Sequence, residues 1–323
     1  MPASPPPWPT ARLHVVTGKG GTGKTTVAAA LALALASGGR RTLLVEVEGR
    51  QGIAEVFDSP PLPYEERRIA GAAGGGEVRV LAVDAEEALL EYLEMFYNLR
   101  RAGSALRRLG AIDFATTIAP GLRDVLLTGK VKEATTRTER GRRVYDAVVL
   151  DAPPTGRIAR FLTVTGEVAG LARGGPIKTQ SDRVIALLRS EQTAVHLVTL
   201  LEEMPVQETI DAAAELSAAG LQVGAVIINM VREPLLPAGK PDRDLVAAGL
   251  RRVKVPADPA TLDALLRESA DHLDRLRLER RERKQLARIG RPIMELPFAT
   301  DGMDLTALHG MAAELRSQGV AAP

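Results

Sequence analysis

Apolar residues along this chain fall into short unbroken runs separated by longer stretches with helical spacing. Leu13–Val16, Thr42–Val47, Val78–Val83, Tyr145–Leu150, Val195–Leu200 and Ala225–Ile228 each read as a strand, the last three as strands buried on both faces. Thr25–Ala36 is rich in Ala and Leu and predicts a helix that stops at Gly38-Gly39. Val206–Ala219 predicts another. Continuous apolar strands alternating with helices imply an α/β fold built on a doubly wound, mostly parallel sheet.

Two regions break the alternation. Asp84–Arg140 reads as helix after helix with no obvious strand. Asp84 and Glu87 have capping-box spacing, and Leu89, Leu93, Phe96 and Leu99 share one stripe. Thr163–Gln192 reads the same way. The expected organisation is a single domain over residues 11–323 with helical insertions at about residues 84–140 and 163–192. Glu233–Arg291 is charged and polar. Its segment Arg275–Lys284 reads as a solvated helix with intrahelical ion pairs. Residues 1–10 are Pro-rich, lack the regions of a signal peptide and read as a disordered arm.

Composition narrows the functional classes. The 323 residues contain no Cys, which removes disulfides, thiolate metal sites, iron–sulfur clusters and Cys nucleophiles, and fits a cytoplasmic protein. The net charge of +2 gives no reason to expect a nucleic-acid partner. The longest uniformly apolar run, Val27–Ala36, is too short to span a bilayer, so no stable membrane insertion is expected.

The chemistry concentrates after the first strand. Gly18-Lys19-Gly20-Gly21-Thr22-Gly23-Lys24-Thr25 fits G-x-x-x-x-G-K-[ST], and it opens a helix as that pattern requires. Glycines let backbone N–H groups turn inward around phosphates, and the helix N-terminus adds partial positive charge. ATP with Mg²⁺ is the expected ligand. Lys24 would reach the β- and γ-phosphates, the Thr25 hydroxyl would hold Mg²⁺, and Thr26 would donate to the α-phosphate. Asp151, ending the strand Tyr145–Leu150, would bind the same ion through water.

Lys19 sharpens the motif. A Lys directly after the first Gly resembles the deviant loop K-G-G-x-G-K-[ST] of a class of dimeric ATPases. In that class, the resemblance implies, Lys19 crosses a dimer interface and acts like an arginine finger on the other subunit's nucleotide. Further stretches resemble the ArsA-like anion-transporting and tail-anchored-protein targeting ATPases, and the ArsA-like ATPases of actinobacteria in particular. Glu48 falls where that family has the Asp that positions the attacking water; a strand-end carboxylate in a salt bridge is the other reading. Asp151-Ala152-Pro153-Pro154-Thr155-Gly156-Arg157 resembles the family's second switch, with Thr155 and Gly156 near the γ-phosphate. Asn229 falls where the family reads the adenine edge, although it could simply cap or turn the chain. Pro297 and Phe298 resemble the family's loop beside the base.

The resemblance runs from Leu13 to about Leu315, poorest over Glu233–Gly290, and implies a P-loop fold and a homodimer or a heterodimer with a paralogue. The absence of Cys argues against arsenite as cargo, because arsenite is held by soft thiolates, and removes the zinc-clamping Cys-x-x-Cys of the targeting factors. A hydrophobic protein client is a further implication. Leu89, Leu93 and Phe96, Phe114 and Ile118, and Leu126 and Leu127 would then line a groove, with Met95 the lone Met of the insertion; at helical spacing such stripes are more often core than groove. A partitioning-type ATPase on DNA or membrane, a metabolite kinase and a binding-only protein stay open as alternatives.

Overall fold

The computed structural model describes residues 8–97, 120–171, 176–235, 242–300 and 302–321. Its elements run β1 (Leu13–Gly18), α1 (Lys24–Ala36), β2 (Arg41–Glu46), α2 (Gly52–Val56), β3 (Arg67–Ala72), β4 (Gly76–Ala82), α3 (Ala85–Tyr97) and α4 (Pro120–Thr136). They continue with β5 (Thr138–Glu139), β6 (Arg142–Arg143), β7 (Ala147–Asp151), α5 (Thr155–Leu171), α6 (Pro176–Leu188), β8 (Thr193–Thr199), α7 (Glu203–Ala218) and β9 (Val223–Val231). The last are α8 (Arg243–Arg252), α9 (Pro259–Ala287), β10 (Ile293–Pro297) and α10 (Leu305–Ser317).

Eight strands form one sheet in the order β10-β9-β8-β1-β7-β2-β4-β3, with every pairing parallel except the antiparallel β3–β4. From β1 the chain leaves to β2 on one side and later reaches β8 on the other. The carboxyl end of β1 is therefore the topological switch point, where open α/β sheets place their ligands. All six residues of β1 are buried, as its central place requires. Two apolar cores flank the sheet. On one face α1 and α10 cover Val16, Leu44, Val149 and Ile227. Every residue of α1 from Val27 to Ala36 is buried, so the absence of a polar stripe in this helix has a direct cause. The other face packs Val15, Val45, Leu150 and Leu197 under α4, α5 and α7.

The predicted strands and helices are present within a few residues of their expected bounds. Asp84 caps α3 by accepting N–H bonds from Glu86 and Glu87 at 2.9 and 3.0 Å. The region read as helix after helix with no strand ends instead in a two-stranded hairpin, β5–β6, turned by Arg140 and Gly141, both at positive φ as a two-residue hairpin turn favours. Leu89, Leu126 and Leu127 are buried in the core rather than offered to a groove. Leu99, Phe114 and Ile118, together with the side chains of Leu93, Met95 and Phe96, lie outside the described residues. The solvated-helix reading of Arg275–Lys284 meets i,i+4 pairs of Glu279 with Arg275 and Arg283 at 3.4 and 3.8 Å. Glu279 and Glu282 are themselves buried, so that helix is not solvated all round.

The stretch read as a disordered arm also needs correction at its end. Trp8 is buried against the sheet, edge-on to His196 with ring centroids 4.7 Å apart. His196 stacks on His14, and their ring nitrogens lie 3.0 Å apart. Burial lowers the His14 pKa to about 4, so the pair is neutral and an indole can pack on it. One buried Trp suffices to anchor the chain where composition alone suggested none. Residues 1–7 lie outside the described residues.

Candidate functional site

The loop between β1 and α1 sits at the switch point. Thr22 closes a turn on the Lys19 carbonyl, its N–H at 3.3 Å and its hydroxyl at 2.9 Å. Gly21 and Gly23 hold φ of 87° and 81°, which side chains resist. Gly18 is required for a different reason: a Cβ there would lie 2.2 Å from the Val198 carbonyl oxygen of β8. Gly20 faces open space. Gly23 is the N-cap of α1 and offers no side-chain cap. The first-turn N–H groups of Lys24, Thr25 and Thr26 are therefore left for an anion at the positive end of a long helix.

Asp151 ends β7 directly beside β1, in register with Val16 on one side and Glu46 of β2 on the other. Its Oδ2 accepts the Thr25 hydroxyl hydrogen bond at 2.7 Å, while its Oδ1 is buried with no hydrogen-bond partner. Burial pushes the Asp151 carboxyl up to about 6, and the nearby carboxylates of Glu46 and Glu48 add to that; Thr25 and the Lys24 ammonium oppose it. Thr17 at the end of β1 donates to the Pro153 carbonyl at 2.6 Å and so ties the following segment, with Thr155 and Gly156 at the start of α5, to the loop.

Glu48 follows β2 near this cluster, half-buried, with Arg50 at 3.9 Å. Lys19 makes an ion pair with Glu208 of α7 at 2.7 Å, each side chain about one-third exposed (33% and 36%). The other Glu208 oxygen lies 3.5 Å from the Thr155 hydroxyl. Asn229 on β9 is buried and donates from Nδ2 to the Thr22 carbonyl at 2.9 Å, so it buttresses the phosphate loop from below. Pro297 and Phe298 stand at the same carboxyl end of the sheet, where Phe298 N–H donates to the Val231 carbonyl at 2.8 Å and the Arg232 guanidinium lies 4.1 Å from the Phe298 ring centre.

The structure thus gathers Gly18 through Thr26, Glu48 and Asp151 around one end of β1, with Asn229, Pro297 and Phe298 along the neighbouring strand ends. Two carboxylates here escaped the sequence reading. Glu46 sits inside an apolar run, where a charged residue was itself a signal of function. Glu208 lies 189 positions from Lys19, and no local pattern links them.

A phosphate loop at the switch point, closed by an aspartate from the adjacent strand, defines a P-loop nucleoside-triphosphatase fold. Residues 11–173 match the family described as anion-transporting ATPase, and the chain belongs to that family and is an ATPase. It is 55% identical to the ATPase BagA of Mycobacterium tuberculosis over 97% of this chain and 96% of that protein. It is 27% identical to an arsenical pump-driving ATPase of Escherichia coli, and 26% identical to one of Acidiphilium multivorum, over 72% of this chain and 41% of each of those longer proteins.

Proposed function

We propose that the chain hydrolyses ATP with Mg²⁺ at the Gly18–Thr26 loop, and that hydrolysis drives a switch between two subunits in the cytoplasm. The observation that carries the reading is the Thr25–Asp151 pair at 2.7 Å at the head of α1. The free Asp151 Oδ1 beside it is an unmet buried acceptor of the sort a cation satisfies. These residues fit Mg²⁺, a hard cation that takes oxygen ligands: Thr25 and Asp151 would hold it. The ion would supply neutralisation of charge on the β- and γ-phosphates.

The chain's own groups do the rest. The first-turn N–H groups and Lys24 bind and orient the phosphates. Glu48, at the carboxyl end of β2, orients the attacking water and accepts its proton. Lys19 of one subunit neutralises charge developing on the nucleotide of the other. Its bond to Glu208 is no obstacle, because the pair is partly open to solvent and such surface ion pairs contribute only about 0.2–1 kcal/mol. Asn229, Pro297 and Phe298 flank the adenine. The second subunit is a copy of this chain or a paralogue. The arsenical cargo named for the pump relatives is not carried over, since the chain has no Cys. Among the described residues no helix is long and apolar enough to cross a membrane.

The test is Lys19→Ala, assayed for nucleotide binding and for turnover. Binding retained with turnover lost supports the cross-subunit role. A monomer whose turnover per chain is independent of protein concentration overturns it.

A further inference from the structure

Glu46 is the least expected residue of the site. It occupies the last position of β2 in a strand otherwise apolar from Leu43 to Val45, and only 3% of it is exposed. Burying a carboxylate is costly unless its oxygens are met. One oxygen of Glu46 is met: Oε2 accepts the Ile53 N–H at 3.2 Å, at the first turn of α2. The other, Oε1, is buried with no hydrogen-bond partner. In register across β2 and β7, Glu46 lies opposite Asp151, whose Oδ1 is buried and unpartnered too. The two carboxylates repel, and Glu46 contributes to the raised pKa of Asp151. Two uncompensated acceptors side by side make sense only around something positive or hydrogen-donating. Among the described residues no cluster of three His, Asp or Glu side chains could cage a metal alone. The donors must then include hydroxyl, phosphate and water, the habit of magnesium rather than of a protein-caged ion.

We propose that Glu46 is a positioning residue of the metal–nucleotide site: its free oxygen accepts a hydrogen bond from water in the ion's hydration shell, while its bonded oxygen holds the start of α2. This rests on the Mg²⁺–ATP reading above. The consequence is mechanical as well as electrostatic. Val47, Glu48, Gly49, Arg50 and Gln51 form the connection between Glu46 and α2, so one side chain ties both ends of the segment carrying the proposed water-orienting carboxylate. Gly52 lies against Thr25, where an added Cβ would sit 3.4 Å from Thr25 Cγ2, which places the start of α2 beside the hydroxyl assigned to the ion. Occupancy of the ion site is thereby transmitted to the Glu48 segment without any rearrangement of the sheet. A carboxylate that merely capped α2 would have no use for its second, buried oxygen.

The test separates charge from shape. Glu46→Gln keeps an oxygen for the Ile53 N–H and removes the negative charge. Mn²⁺ is titrated by electron paramagnetic resonance into full-length protein loaded with a non-hydrolysable ATP analogue, and trypsin cleavage after the exposed Arg50 is followed across the same titration. Outer-sphere partners of metal sites typically govern about 10–100-fold in affinity, so E46Q should bind Mn²⁺ about tenfold more weakly and need correspondingly more for protection at Arg50. Glu46→Asp, which keeps the charge, should recover most of the loss. Wild-type Mn²⁺ affinity in E46Q, or an E46D as weak as E46Q, overturns the proposal. Nucleotide binding at saturating Mg²⁺ is measured in parallel: wild-type protein that binds no nucleotide removes the ATP-site reading and this inference with it, whereas nucleotide binding with Mn²⁺ affinity unchanged in E46Q removes this inference alone.

Discussion

Replacing Asp151 by Asn should make the empty protein more stable while destroying its chemistry. In the folded chain burial raises the Asp151 carboxyl from 3.8 to about 6. The folded state thus binds that proton more tightly than the unfolded state does. Between about pH 4 and pH 6 each increment of pH favours unfolding, and above the folded value the whole difference is felt. Two pKa units and a little more, at 1.36 kcal/mol each, correspond to about 3 kcal/mol of stability forfeited at neutral pH. Asn is isosteric, accepts the Thr25 hydroxyl hydrogen bond with its amide oxygen and carries no charge. Thermal melts of both proteins without nucleotide or divalent metal should coincide near pH 4 and diverge as pH rises. At pH 7 the variant should melt higher by on the order of 5 °C, given the usual entropy of unfolding for large domains. Its Mg²⁺-dependent ATP turnover should be lost. A variant that melts at or below the wild type throughout pH 5–8 would refute the claim that Asp151 sits in an electrostatically unmet site awaiting a cation.

Two further outcomes are expected. Lys24→Ala should abolish ATP hydrolysis in a steady-state phosphate-release assay, because it removes the cation proposed to bind the phosphates from the start of α1; normal turnover would remove the loop from the mechanism. Glu208→Ala frees Lys19 from its in-chain partner, and since a partly solvent-exposed ion pair contributes about 0.5 kcal/mol, turnover at limiting protein concentration should rise by roughly twofold; a fall would mean that Glu208 assists the reaction rather than restraining Lys19.

The centre of the fold was legible because its physics is local. Gly18 to Thr25 dictates a strand, a tight turn and a helix within a few residues, and the two-sided apolar runs of β7, β8 and β9 announce a parallel sheet. Edge elements were harder to read. β3 carries Arg67-Arg68 and small residues with half-exposed faces, the composition of a sheet margin rather than a core strand. β10 alternates only weakly, and its outer edge is met by Gln318, whose side chain bonds both the N–H and the carbonyl of Glu295 at 2.9 and 2.7 Å. Such a substitute for a ninth strand cannot be inferred from strand periodicity. The site shows the same division. Lys24, Thr25 and Asp151 follow from motifs, whereas Glu46 needs the register of β2 against β7, and Glu208 needs the packing of α7 beside the loop.

The two-subunit switch proposed for this ATPase turns on Lys19. The most direct measurement is ATP turnover per chain against protein concentration for wild type and Lys19→Ala, alone and with any paralogue that binds it, with nucleotide affinity determined in parallel. The account predicts wild-type turnover that rises with concentration and a variant that binds ATP normally yet turns over negligibly at every concentration. Lys19→Ala turnover equal to wild type, flat across the same range, would contradict it.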